Sequence, residues 1–94
     1  MAIRNCRHKG LEELYVKGRT AKIGKESHRK ALLILDHIAS ITDLKDCVGV
    51  RDFHELKGDR KGTYSMHVTG NYCITFRWED GDAIDVDFED YHGK

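Results

Sequence analysis

Partway along the chain the apolar residues change their spacing, from every third or fourth position to every second. The first spacing belongs to a helix and the second to a half-buried strand, so the chain must form helices first and a sheet afterwards. Residues 25–41 carry Ala31, Leu35, Ile38 and Ala39 at helical intervals, with Leu32 and Ile34 widening the stripe and Ser27 near its start. Residues 9–17 predict a shorter helix, with Leu11, Leu14 and Tyr15 on one side, Glu12 and Glu13 outside, and Gly18 as the stop. Further on, Tyr64, Met66 and Val68 alternate with Ser65 and His67 in residues 63–69. Tyr72, Ile74, Phe76 and Trp78 alternate with Cys73, Thr75 and Arg77, and Ile84, Val86 and Phe88 alternate with Asp85 and Asp87. Gly70-Asn71 and Asp80-Gly81 separate these runs, which predicts an antiparallel meander. Residues 3–7 and 52–56 can add short strands, and 42–49 read as a polar connection.

The expected class is therefore α+β, with two N-terminal helices on one face of a mainly antiparallel sheet. The opposite face should display Ser65, His67, Cys73, Thr75 and Arg77. With 94 residues, no proline, no repeat and no linker, one domain over 1–94 is expected. Such a domain buries a single modest core. The cysteines, Cys6, Cys47 and Cys73, are odd in number and lack C-x-x-C spacing, which argues against a disulfide framework or a structural zinc site. The longest apolar run, 31–35, is far below membrane-spanning length and no signal peptide is evident. A cytoplasmic location without membrane attachment is the simple expectation.

Formal net charge is zero, but the charges are not evenly spread. Residues 1–30 hold nine basic and three acidic residues, and 79–90 hold seven acidic and no basic ones. This can give one electropositive face, or simply two solvated surfaces.

Three groups of residues invite chemistry. Residues 54–62 place His54 with Lys57, Arg60 and Lys61 around Gly58 and Gly62, which suits an anion but also suits a soluble turn. The end of the chain, 89–94, holds Asp90, Tyr91 and His92; tyrosine and histidine can move protons, although terminal residues are often inert. His54, His67, His92 and Cys73 are of metal-ligating types, but no ligand spacing supports a metal and none is expected. Cys73 with His67 can be read as a nucleophile and its base, or as a small hydrophobic filler.

Four blocks in order resemble the HigB toxins of the RelE-like superfamily. They are Arg7-His8-Lys9-Gly10-Leu11 with Leu14 and Lys17-Gly18; Phe53-His54-Glu55-Leu56-Lys57-Gly58-Asp59-Arg60-Lys61-Gly62; Gly70-Asn71-Tyr72-Cys73-Ile74-Thr75-Phe76; and Asp80-Gly81-Asp82-Ala83 followed by Glu89-Asp90-Tyr91-His92. Together they are specific, and the likeness covers nearly the whole chain. The resemblance implies a RelE-like microbial RNase fold and a cofactor-free endonuclease that cuts mRNA in the 30S A site of the ribosome. It implies a HigA-like helix-turn-helix antitoxin as partner, which would link the toxin to operator DNA. In that chemistry the ribose 2′-OH attacks the adjacent phosphodiester, a base accepts its proton, cations stabilise the phosphorane and an acid protonates the leaving 5′-oxygen. His54, Lys57, Asp90, Tyr91 and His92 match the family's catalytic motifs; Lys57, Arg60, Lys61 and Arg77 are the cations expected on RNA and ribosome.

The departure is Cys73, where the family motif carries arginine. A thiol cannot replace a guanidinium fork on a phosphate, and removing one such donor costs about 2.7–4 kcal/mol at the transition state. Arg77 lies on the same face by alternation, roughly 13 Å along the strand. Two functions thus compete: a nuclease, active or weakened, and a catalytically inactive homologue that only binds antitoxin and ribosome. An unrelated RNA-binding α+β domain is a third class, against which the four blocks weigh.

Overall fold

The computed structural model describes residues 3–90. Two helices, α1 (Lys9–Lys17) and α2 (Lys25–Ser40), precede a sheet of β1 (His54–Glu55), β2 (Thr63–Thr69), β3 (Tyr72–Glu79) and β4 (Asp82–Asp90). All pairings within the sheet are antiparallel, in the order β1-β2-β3-β4. No described helix is long and apolar enough to cross a membrane.

Local chemistry explains the bounds. The His8 ring accepts the Leu11 N–H at 3.1 Å and so caps α1, and Gly18, at φ 81°, ends it by donating to the Leu14 carbonyl. Ser27 is not a cap: α2 starts after Gly24 without a side-chain cap, and Ser27 is buried inside its first turn. The connection after α2 is less polar than expected, because a 3-10 turn, Leu44–Cys47, drops Cys47 into the core. Both two-residue hairpin turns take the backbone their sequences demand. Gly70 alone has positive φ in the first, whereas Asp80 and Gly81 both do in the second.

The core lies between the helices and one sheet face. Leu11 and Leu14 from α1 and Ala31, Ile34, Leu35 and Ile38 from α2 meet Met66, Val68, Ile74, Phe76, Ala83 and Val86. Beside it, Phe53 stacks on Tyr64 with ring centres 5.4 Å apart.

One expectation fails at β4. Opposite Phe76 the partner strand carries an extra residue: Thr75 pairs with Asp87, but Arg77 pairs with Ile84. Asp85 occupies this bulge at φ 52°. The added residue reverses the alternation, so Ala83 enters the core and Ile84 joins the face of Arg77. The N-terminal segment follows β4 on its outer edge through parallel bridges, Ile3 to Ala83 and Cys6 to Val86. Asn5 holds the bulge there: the Asp85 N–H donates to Asn5 Oδ1, and Asn5 Nδ2 donates to Asp85 Oδ1, both at 3.1 Å.

Candidate active site

The register writes rows of side chains across the sheet face turned away from the helices. His54, Ser65, Thr75 and Asp87 form one row, His67, Cys73 and Glu89 the next, and Thr63, Arg77 and Ile84 the row on the other side. Direct neighbours in a row stand roughly 4.5–5.5 Å apart.

This face is not the open polar surface the alternation implied. His67 and Arg77 are exposed, but Ser65, Cys73 and Thr75 are buried. Arg60 covers them. It arrives from the 3-10 turn Gly58–Arg60 and grips Glu89 as a fork, Nη1 to Oε1 at 2.8 Å and Nη2 to Oε2 at 2.6 Å. The Thr75 hydroxyl donates to the same carboxylate from below. The Arg60 guanidinium, aided by Thr75, holds Glu89 below the usual carboxylate range. Sequence reasoning gave Glu89 no role and Thr75 only a place on the face; the available signals were that Glu89 opens the Glu89-Asp90-Tyr91-His92 block and continues the alternation of Asp87 on β4.

Cys73 sits in this covered strip at 5% exposure. Burial raises its thiol pKa and the Glu89 carboxylate adds to that, against a hydrogen bond to Ser65 and the nearby Arg60 charge. A neutral, covered thiol is a poor nucleophile, so the filler reading of Cys73 holds over thiol catalysis.

Beside the strip, Asp52, His54, Ser65, His67, Asn71, Tyr72 and Cys73 border a shallow cleft. His54 is exposed at its rim. Its Nδ1 lies 2.8 Å from the Asp52 carbonyl, and a carbonyl oxygen only accepts. When the ring is neutral, Nδ1 therefore carries the proton, and Nε2, without a hydrogen-bond partner among the described residues, can accept one. Lys57 and Lys61 flank the adjoining turn, both exposed and, among the described residues, without acidic partners. His54 thus belongs to a row of the second sheet face, and the loop cations follow it on the turn after β1.

Asp90 lies elsewhere. It pairs with Tyr72 and borders a cleft on the helical side with His8, Lys22, Ile23, Glu26 and Phe88. Tyr72 borders both clefts and stacks on Phe88 at 5.0 Å. Tyr91 and His92 lie outside the described residues. Arg77 keeps its place on the polar face two rows from Cys73, each row two residues of β3 from the next. Among the described residues no group of three or more His, Cys, Asp or Glu side chains is arranged to hold a metal ion.

The charge asymmetry is partly cancelled in three dimensions. Arg4 pairs with Glu79 at 2.9 Å and Asp82 at 3.0 Å, and Arg60 with Glu89. At the helical end Lys17, Arg19 and Lys25 border a broad groove with Glu13 and His28.

Two comparisons with known proteins bear on the site. The family described as RelE-like toxin of type II toxin-antitoxin system HigB matches residues 4–92. The protein named Endoribonuclease HigB from Proteus vulgaris is 35% identical over 91 residues, which cover 96% of this chain and 99% of that protein.

Proposed function

The chain belongs to the HigB-like toxins of type II toxin–antitoxin systems, and from that premise we propose that it is a ribosome-dependent endoribonuclease that cuts mRNA in the A site. The observation that carries this reading is His54: its ring nitrogen Nδ1 is held by the Asp52 carbonyl, which leaves Nε2 of the neutral ring to accept a proton, and the exposed Lys57 and Lys61 lie on the turn that follows β1. In the proposed reaction Nε2 accepts the proton of a ribose 2′-OH. The 2′-oxygen then bonds to the adjacent phosphorus while the bond from phosphorus to the 5′-oxygen breaks, leaving a 2′,3′-cyclic phosphate and a 5′-hydroxyl. Lys57 and Lys61 offset the charge that builds on the phosphorane. Arg60 and Arg77 add RNA contacts, and the motif Asp90-Tyr91-His92 supplies the acid for the leaving oxygen, as in the resemblance. No cofactor enters this reaction.

As a type II toxin the protein has an antitoxin partner. We take that partner to be HigA-like, with a helix-turn-helix and with operator DNA reached only through it. The working location is the cytoplasm, and residues 1–94 act as one toxin domain.

One observation favours a second reading. The position of the family arginine holds a buried, neutral thiol, so a homologue that binds antitoxin and ribosome without cutting is the alternative. The test is cleavage of a programmed mRNA by the purified chain with and without ribosomes, beside His54→Ala. Ribosome-dependent cuts with 5′-hydroxyl ends, reduced about 10²–10⁴-fold in His54→Ala, support the nuclease. Ribosome binding by the unaltered chain with no cleavage establishes the inactive homologue instead.

A further inference from the structure

Two residues just before β1 depart from ordinary backbone geometry. Arg51 and Asp52 both sit in the left-handed region, at φ 48° and 57°, although neither is glycine. Such conformations are disfavoured for residues with a Cβ and persist only where their surroundings enforce them. Here the enforcing contacts all come from Arg51. Its carbonyl accepts the His67 N–H at 2.7 Å. Its side chain turns back on the same strand, with Nε donating to the His67 carbonyl at 2.9 Å and Nη2 to the Val68 carbonyl at 2.7 Å. The pairing of β1 with β2 ends at His54 and Ser65, so the guanidinium takes over two acceptors on the strand edge beyond it. Val68 is also where the β2–β3 register shifts.

This clamp fixes more than the loop. With Arg51 anchored, the left-handed turn at Asp52 aims its carbonyl at Nδ1 of His54, 2.8 Å away. The same anchor ties the main chain of His67, whose ring borders the same cleft. A neutral imidazole carries one proton on either nitrogen, and the partner of one nitrogen decides which. We propose that Arg51 is a positioning residue: by pinning the 51–52 turn to β2 it holds His54 in the tautomer whose Nε2 is free to accept a proton. The proposal rests on the nuclease reading only for its catalytic consequence; the tautomer is a property of the resting protein. Arg51 itself need not touch RNA, since its guanidinium donors are directed at backbone carbonyls.

The test reads the tautomer and the reaction separately. Nitrogen-15 NMR of the His54 ring in the free protein reports which nitrogen is protonated, and single-turnover cleavage on programmed ribosomes gives the maximal rate and the half-saturating toxin concentration. The unaltered chain should show a protonated Nδ1 and a bare Nε2. Arg51→Met, which keeps the apolar stem and loses the donors, should move population to the Nε2–H form. Its maximal rate should fall roughly 10–100-fold, the range for loss of a group that orients a working imidazole, at unchanged half-saturation. Arg51→Lys, with one compact ammonium in place of a fork, should fall between, and it carries the test if Arg51→Met does not fold. A wild-type-like His54 tautomer in either folded variant overturns the proposal. So does a tautomer change with an undiminished maximal rate. If no protein, wild type included, cleaves mRNA, the nuclease reading fails, while the tautomer data still decide whether Arg51 positions His54.

Discussion

The Arg60 guanidinium closes on the Glu89 carboxylate as a fork, at 2.8 and 2.6 Å, directly above the strip that contains the Cys73 thiol. A cation therefore already stands over the strand position where the family motif places arginine. It comes from the loop and not from β3, and its charge is paired with the Glu89 carboxylate. The pair lies beside the buried Ser65, Cys73 and Thr75, and the Thr75 hydroxyl ties it to the sheet.

Glu89→Gln should separate charge from shape. The amide oxygen can still accept from the Thr75 hydroxyl, but the ionic fork to Arg60 is gone. A charge-assisted pair with one well-exposed partner is worth about 1 kcal/mol or slightly more, so a lower unfolding midpoint is expected at neutral pH. The sign of the pH dependence follows from the depressed carboxylate. Its contribution is present above the ordinary carboxylate range, near pH 4–5, and is lost as pH falls through the lower folded value. Urea unfolding of both proteins should thus differ at pH 7 and converge toward pH 3. A constant difference across that range would show that the loss is one of packing and not of charge.

Cys73→Arg meets a crowded site, because residue 73 is buried. Residue 73 is Cα partner to Glu89, so the new guanidinium can take the carboxylate from Arg60 and release Arg60 toward substrate. Overpacking should cost about 1–3 kcal/mol of stability. Cleavage should nevertheless rise, by up to roughly 10²–10³ if one cation is returned to the phosphate. Cleavage by the unaltered chain that is insensitive to Cys73→Arg, and also to Arg77→Ala, would show that Arg60 or the loop lysines suffice.

The bulge on β4 depends on the N-terminal segment. Asn5→Ala removes both side-chain bonds to Asp85 and should cost about 1 kcal/mol. Asp85→Val puts a β-branched residue at φ 52° and should cost more, about 2 kcal/mol, since such residues strongly resist the left-handed region. Denaturant midpoints for the two variants check the order. Equal or smaller loss in Asp85→Val would mean that the bulge relaxes when Asn5 lets go.

Ribosome binding should be electrostatic and independent of position 73. Replacing Lys57, Lys61 and Arg77 by alanine should weaken co-sedimentation and flatten its salt dependence, by roughly one unit of logarithmic slope for each phosphate left without its cation. Binding that is unchanged from low to high salt in the unaltered chain would refute this. Failure of the same variants to bind antitoxin would place these cations at that interface instead.

Much of the fold was legible in the sequence because its signals are local. Helical spacing bounded α1 and, within a residue, α2; alternation with Gly70-Asn71 and Asp80-Gly81 bounded β2 and began β3 and β4. The short strand at 54–55 falls within the run 52–56 that the sequence offered as a further strand. Composition and motif order sufficed to place the chain in its family.

What local pattern cannot carry is the effect of partners far away in sequence. Ile84 left the core because one extra residue in β4 reversed the alternation, and Asn5, from the other end of the chain, holds that residue in place. Glu89, the partner of Cys73 across the sheet, is held by Arg60, 29 residues away. Arg51 gave no signal, since its partners are main-chain carbonyls and any sequence supplies those. Amino-acid identity thus determined which elements form and which chemistry is on hand, whereas tertiary contact alone decided which polar side chains are covered and on which face Asp90 stands.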